Sequence, residues 1–254
     1  MNYDPWAFLR HHTAARLAPG RAGNGLPTAS LLNFQLDHAR ARDAVYDTLA
    51  LDRLLPDLAA LQPDAPAPVL LQSRAADRPT YLKRPDWGRQ LSPESAQSLT
   101  NVPATPADLC IVLADGLSAT AINRHTVPLL SLLLPELAQL GWSLAPLCVV
   151  QQGRVAIADQ IALALNASLT LILIGERPGL TSPDSLGAYL TYLGAANRPG
   201  LTDADRNCVS NIRPEGLPYA FAVQKLLYLL TEIRSRKLSG VGLKDEMGLL
   251  GSGG

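Results

Sequence analysis

Charge is what this 254-residue sequence has little of. Charged residues make up 17% of it, against ~25% in ordinary soluble domains. Its 22 Lys+Arg and 22 Asp+Glu residues cancel to a formal net charge of zero. That balance excludes a global basic field, so bulk attraction to nucleic acid or to an anionic membrane is not expected. Hydrophobic residues reach 47%. A chain this apolar and this poor in charge fits a surface partly covered by a partner. A large core beneath an uncharged polar surface is the plainer alternative.

Other absences narrow the field. There are three cysteines, Cys110, Cys148 and Cys208, with no C-x-x-C pair. The odd count argues against a disulfide framework and for a reducing compartment. Cys110 and Cys148 sit inside apolar runs that read as buried strands. No run of about 18 apolar residues exists, so no membrane span is predicted. Met1 to Trp6 carries no basic start and no long apolar stretch, unlike a secretory signal. A cytoplasmic location is expected. The Gly251-Ser252-Gly253-Gly254 end reads as a flexible tail. Neither G-x-G-x-x-G after a strand nor G-x-x-x-x-G-K-[ST] occurs, which removes support for ordinary dinucleotide or nucleoside triphosphate binding. The histidines, His11, His12, His38 and His125, show no H-x-x-x-H spacing and no cysteine nearby, so no metal site is expected. His11-His12 reads as a solvated terminal segment, and His38 as a partly buried helix residue.

The chain that remains divides by texture, and its length suits one large domain or two smaller ones with a substantial core. Residues 1–95 are rich in Arg, Asp, Ala and Pro and read as a helical N-terminal region. Thr28, after Pro27, is the expected N-cap of a helix with Leu31, Phe34, His38, Ala41 and Val45 on one face. Leu49 to Leu61 reads as a second helix containing Pro56, Val69 to Ser73 as a short strand, and Tyr81 to Gln90 as irregular. Residues 96–254 alternate apolar strands with helices. The strands are Leu109 to Ala114, Leu144 to Val150, Leu169 to Ile174 and Cys208 to Ile212. The helices are His125 to Leu140, Ile157 to Leu165, Ser185 to Leu193 and Tyr219 to Ser235, the third signalled by Ser182-Pro183. Continuous apolar strands between helices predict an α/β domain with a Rossmann-like, doubly wound parallel sheet. Too few β–α units are present for a β/α barrel.

Three strands end in polar or glycine-containing loops: Asp115-Gly116-Leu117-Ser118, Gly153-Arg154-Val155 and Gly175-Glu176-Arg177-Pro178-Gly179. Ligands of open parallel sheets bind beyond the carboxyl ends of the strands, so these loops define a candidate binding edge. Each glycine taken singly can equally be a plain chain turn. Gly116-Leu117-Ser118-Ala119-Thr120 approaches a G-x-S-x-G nucleophile motif but lacks its last glycine. Asp115 and Glu176 could form an acid–base pair; the simpler reading is that Asp115 orders its turn and Glu176 accepts hydrogen bonds. Cys208 can be a reactive thiol or a packed small residue, the commoner role. Nothing forms a self-sufficient catalytic set. A stand-alone α/β enzyme acting on a small phosphorylated or nucleotide substrate through the Asp115 and Glu176 loops remains an alternative.

Longer motifs carry a resemblance. They are Gly20-Arg21-Ala22-Gly23, Phe34 with Asp37-His38, Tyr81-Leu82 before Arg84-Pro85-Asp86-Trp87-Gly88-Arg89, Gly153-Arg154-Val155 with Asp159-Gln160-Ile161, Gly175-Glu176-Arg177-Pro178-Gly179-Leu180, Asp205-Arg206-Asn207-Cys208-Val209-Ser210-Asn211-Ile212, and Leu238-Ser239-Gly240-Val241. Together with the Asp115 loop, they span about residues 10 to 245, and the sequence resembles the small subunit of the ethanolamine ammonia-lyases. The resemblance implies an enzyme that converts ethanolamine to acetaldehyde and ammonia with adenosylcobalamin. It implies a hetero-oligomer in which a β/α-barrel large subunit carries substrate and most catalytic groups, with the corrin between the chains. It carries cofactor contacts onto Val155, Glu176 and Cys208, and implies base-on binding, with which the lack of a D-x-H-x-x-G segment agrees. Some members carry a long N-terminal extension linked to packing in bacterial microcompartments. Here the recognisable core begins within about ten residues of Met1, which argues against such targeting by this chain.

Overall fold

A computed structural model describes residues 6, 8–9, 12–13, 15–194 and 200–247. His11 and the Gly251–Gly254 tail lie outside these residues, as does most of the Met1–Trp6 start. Six strands form one sheet: β1 (Val69–Gln72), β2 (Ala107–Ala114), β3 (Cys148–Gln151), β4 (Ala167–Gly175), β5 (Leu186–Tyr192) and β6 (Arg206–Ile212), in the order β1-β3-β2-β4-β5-β6. The α/β class expected from the sequence is observed. The sheet is mixed, however, rather than all parallel. β1, β3, β2 and β4 run parallel, whereas β5 is antiparallel to both β4 and β6.

The antiparallel pair overturns one sequence expectation. Ser185 to Leu193, predicted as a helix, forms β5. Its pattern has period two: Leu186, Ala188 and Leu190 are fully buried on one face, with Gly187, Tyr189 and Thr191 between them. The Ser182-Pro183 signal belongs to a turn in which Gly179 and Ser182 exchange backbone hydrogen bonds of 3.0 and 3.3 Å. Residues 176–185 are also shorter than the dozen or so a parallel return requires.

Helices cover both faces. α2 (Leu51–Leu61), α5 (Ala119–Gln139) and α7 (Tyr219–Arg236) enclose one core with Leu109, Ile111 and Leu113 of β2 and Leu169, Leu171 and Leu173 of β4. α4 (Pro93–Leu99) and α6 (Ile157–Ala164) enclose the other with Cys110, Val112 and Ala114. Burial on both faces explains why these strands read as unbroken apolar runs. β1, from the segment before residue 95, is the edge strand beside β3, so the sheet draws on both sides of that position.

The other differences have local causes. α1 spans Thr28–Tyr46, but Pro27 occupies its N-cap and no side chain caps it. The expected apolar face is not buried: Leu31 and Phe34 are 40% and 39% exposed, His38 is exposed, and Ala44 is the buried residue. Leu32 and Leu36 are exposed as well, so the apolar residues surround this helix instead of forming a stripe. Overlapping the start of the Tyr81 to Gln90 segment read as irregular, α3 (Arg78–Lys83) forms under an Asp77 cap that accepts the Thr80 N–H at 2.8 Å. α5 starts earlier than its apolar period suggests, because Ser118 caps it by accepting the Ala121 N–H.

Candidate functional site

The chain leaves β2 through α5 to reach β3 on one side, then crosses through α6 on the other face to β4. The crossovers diverge at the carboxyl ends of β2 and β4, which is where an open α/β sheet forms its crevice. A cavity of about 610 Å³ lies there, with Leu117, Arg154, Val155, Glu176 and Tyr189 in its lining. A second cavity of about 390 Å³ shares Arg154, Val155 and Tyr189 with it and extends the groove along β5 and β6 to Cys208.

Glycine permits the tight approach of the loops at the floor. Gly116 has φ +54°, and a Cβ there would strike the Gly175 carbonyl. A Cβ on Gly175 would strike the backbone carbonyls of Ser118 and Asp115. The Leu117 N–H donates to the Gly175 carbonyl at 2.9 Å. These are close backbone approaches that any larger residue would prevent.

Val155, Glu176 and Cys208 come from three separate segments, and all line this groove. Val155 lies half-buried just before α6. Glu176 follows β4. Its Oε2 accepts the Ser185 hydroxyl at 2.7 Å and the Asn211 N–H at 3.1 Å. Oε1 has no hydrogen-bond partner among the described residues. Cys208 is exposed, not packed as its commoner role would have it. Strand alternation causes this: the next residue of β6, Val209, turns into the core, while Cys208 pairs with Tyr189 of β5 and lies 3.3 Å from the Ser210 hydroxyl.

The two carboxylates of the edge are not equivalent. Asp115 is buried and outside the cavity lining, whereas Glu176 is part of it. Burial pushes the Asp115 carboxyl up to about 6, against the backbone N–H groups of Gln152, Gly153 and Gly116 and the Arg78 guanidinium. Its Oδ1 accepts the Gly153 N–H at 3.2 Å, and Arg78 lies 4.0 Å from Oδ2. Asp115 therefore fastens the turn after β2 to the turn after β3. Arg78 reinforces that junction by donating to the Gly116 carbonyl at 2.6 Å. Ser118 is fully buried and donates to the Pro183 carbonyl at 3.0 Å, so it is a helix cap and not a nucleophile.

Sequence reasoning passed over two tyrosines. Tyr81 lies beneath the guanidiniums of Arg78 and Arg154, 4.9 and 4.4 Å from its ring centroid. Burial pushes its hydroxyl up to about 12. Burial likewise pushes Tyr189 to about 12, with Cys208 and Glu176 adding to it. Neither tyrosine belongs to a recognisable catalytic motif. Tyr189 was further hidden by the helix expected over its segment.

On the opposite face of the same edge, Asp184 gathers three cationic or titratable partners. Arg124 lies 3.0 Å from Oδ2 and Arg213 3.2 Å from Oδ1. His125 Nε2 lies 3.4 Å from Oδ2, and its Nδ1 is 2.7 Å from the Tyr219 hydroxyl. Burial lowers the His125 pKa despite Asp184. Burial would raise Asp184, but its cationic neighbours outweigh it and hold the carboxyl below its usual range. The cluster anchors residues 181–185, including Ser185, which holds Glu176. Among the described residues no group of His, Cys, Asp and Glu could hold a metal ion, and no helix is long and apolar enough to cross a membrane.

Comparison with known proteins places the whole chain. A family profile described as Ethanolamine ammonia-lyase light chain (EutC) matches residues 3–244. The ethanolamine ammonia-lyase small subunit of Azotobacter vinelandii is 56% identical over 246 residues, covering 96% of this chain and 89% of that protein. That of Xanthomonas campestris pv. campestris is 57% identical, covering 96% and 88%. That of Pseudomonas syringae pv. tomato is 52% identical, covering 96% and 84%. With nearly its whole length matched at such identity, the chain belongs to the ethanolamine ammonia-lyase small-subunit (light-chain) family.

Proposed function

We propose that the chain is the small subunit of an adenosylcobalamin-dependent ethanolamine ammonia-lyase, which converts ethanolamine to acetaldehyde and ammonia. Its strand-end groove forms this chain's side of the cobalamin site, where it meets the large subunit. The observation that carries this reading is the meeting of Val155, Glu176 and Cys208 on one continuous groove.

The donor set suits a corrin. A corrin is rimmed with neutral amides and has broad apolar faces, so it calls for a few placed acceptors and apolar contact. Glu176 presents Oε1 to an amide N–H, while Ser185 and the Asn211 backbone hold Oε2 in place. Val155 covers apolar surface, and Cys208 closes the rim on β6. No histidine lines either cavity among the described residues, which agrees with a cofactor that keeps its own lower base. When bound, adenosylcobalamin supplies the radical chemistry; the protein binds it, orients it and excludes water. The lack of a self-sufficient catalytic set here fits a large subunit that carries the substrate. The stand-alone alternative needs Asp115 and Glu176 as a working pair, and only Glu176 lines the groove.

Glu176→Ala in the assembled complex tests the reading by absorbance titration with cobalamin. Loss of a charge-assisted hydrogen bond is worth ~1.5–3 kcal/mol, so Kd is expected to rise roughly ten- to a hundredfold. An unchanged Kd in a normally folded variant would remove Glu176 from the site.

A further inference from the structure

The smaller cavity has a chemistry that amide recognition does not explain. Three guanidiniums line it, those of Arg89, Arg154 and Arg206, against the single carboxylate of Asp203. Arg206 is already neutralised, since Asp159 accepts from its Nη1 at 2.9 Å and from its Nη2 at 2.7 Å. Arg89 makes no hydrogen bond or ion pair among the described residues, and Arg154 has no carboxylate partner. Arg154 donates from Nη2 to the Tyr81 carbonyl at 3.2 Å, and its buried Nε has no hydrogen-bond partner. Arg206, with its side chain 3% exposed, also leaves Nε without a hydrogen bond; its nearest acid there is Asp203 at 3.9 Å, itself 91% exposed. Two uncompensated guanidiniums thus face one solvated carboxylate. Buried guanidinium N–H groups without acceptors are costly unless an anion completes them. The lining residue Ala156 is the N-cap of α6, whose positive end adds to the same field.

We propose that the arginine-lined end of the groove is a phosphate subsite that takes the phosphodiester of cobalamin's nucleotide tail. The assignment rests on the cobalamin reading of the groove and adds polarity to it. The corrin lies toward Glu176, and the nucleotide tail runs toward Arg89 and Arg206. The phosphodiester is the anionic group in the bridge between corrin and base, and guanidinium is the side chain best matched to phosphate oxygens.

The test uses the complex with the large subunit and three ligands titrated by absorbance: cobalamin, cobinamide phosphate, and cobinamide, which lacks both phosphate and nucleotide. Arg89 is exposed and its side chain makes no hydrogen bond or ion pair among the described residues, so its variants should fold. Arg89→Ala is expected to weaken cobalamin and cobinamide phosphate about fivefold, the effect of one solvent-exposed charge contact, and to leave cobinamide unchanged. Arg89→Glu should weaken the first two further, and Arg89→Lys should restore most of the affinity. Equal weakening of all three ligands, or of none, would overturn the subsite. Inorganic phosphate provides a separate arm. Competition with cobalamin supports the assignment, whereas phosphate that binds alongside cobalamin assigns the site to a free anion and overturns it. Glu176→Ala separates the two ideas, since it should weaken all three ligands. If it weakens none, the cobalamin reading of the groove fails whatever the Arg89 variants do.

Discussion

Asp115 shows how one buried carboxylate both builds the site and costs stability. Its pKa is raised from 3.8 to about 6, so the folded state holds this proton more tightly than the unfolded chain. The stabilisation from the protonated form is complete below about pH 3 and is lost as pH rises through 6. The loss amounts to roughly 3 kcal/mol, from ~1.4 kcal/mol per pKa unit. Asn at this position can still accept the Gly153 N–H but does not titrate. Denaturant unfolding of wild type and Asp115→Asn between pH 4 and 7 should therefore show wild type losing about 2 kcal/mol relative to the variant, most of that total. A difference that stays constant with pH would show that burial does not penalise this charge. Glu176 obeys another rule: its free oxygen matters because Ser185 and Asn211 hold the other one.

Between elements, the pairing of Arg206 with Asp159 fixes the groove's far wall. It joins α6 to β6, and Arg206 also donates to the Thr191 hydroxyl of β5 at 3.0 Å. One buried guanidinium thus ties the antiparallel strands to the crossover helix that precedes them. Removing its partner leaves a buried charge uncompensated, so Asp159→Ala is expected to cost ~3–5 kcal/mol. The double replacement Asp159→Leu with Arg206→Met should recover most of that, as read by thermal unfolding. Should the single variant match wild type in Tm, the pair is not structural. The same pairing illustrates what the sequence concealed. Asp159 and Arg206 stand in separate motifs 47 residues apart, and nothing local says that they meet. β5 was missed for a related reason: its turn signals mimic a helix start, and its short return to β4 is decided by sheet pairing.

The whole molecule is unevenly stabilised. β2 and β4 are covered on both faces, while α1 carries exposed Leu31, Leu32, Phe34 and Leu36. A 19-residue helix without a packed face is marginal in water. In hydrogen exchange of the isolated chain, α1 amides from Thr28 through Arg40 should exchange orders of magnitude faster than those of β2 and β4. Equal protection would mean that α1 is held by more than these contacts. Exposed apolar side chains thus gather on this helix, although it also carries Asp37, Arg40, Arg42 and Asp43.

The sequence by itself determined the parts that depend on short-range pattern. Apolar runs placed β2, β3 and β4, helical periodicity placed α2, α6 and α7, and strand ends rich in glycine and polar residues marked the edge where Val155 and Glu176 lie. Motifs spread over the chain carried the family. Tertiary structure alone decided the direction of β5, the exposure of Cys208, the burial that separates Asp115 from Glu176, and the gathering of Arg89, Arg154 and Arg206. The physical reason is the same in each case. Strand pairing, burial and electrostatic neighbourhood join residues far apart in the chain, and local propensity does not encode those contacts.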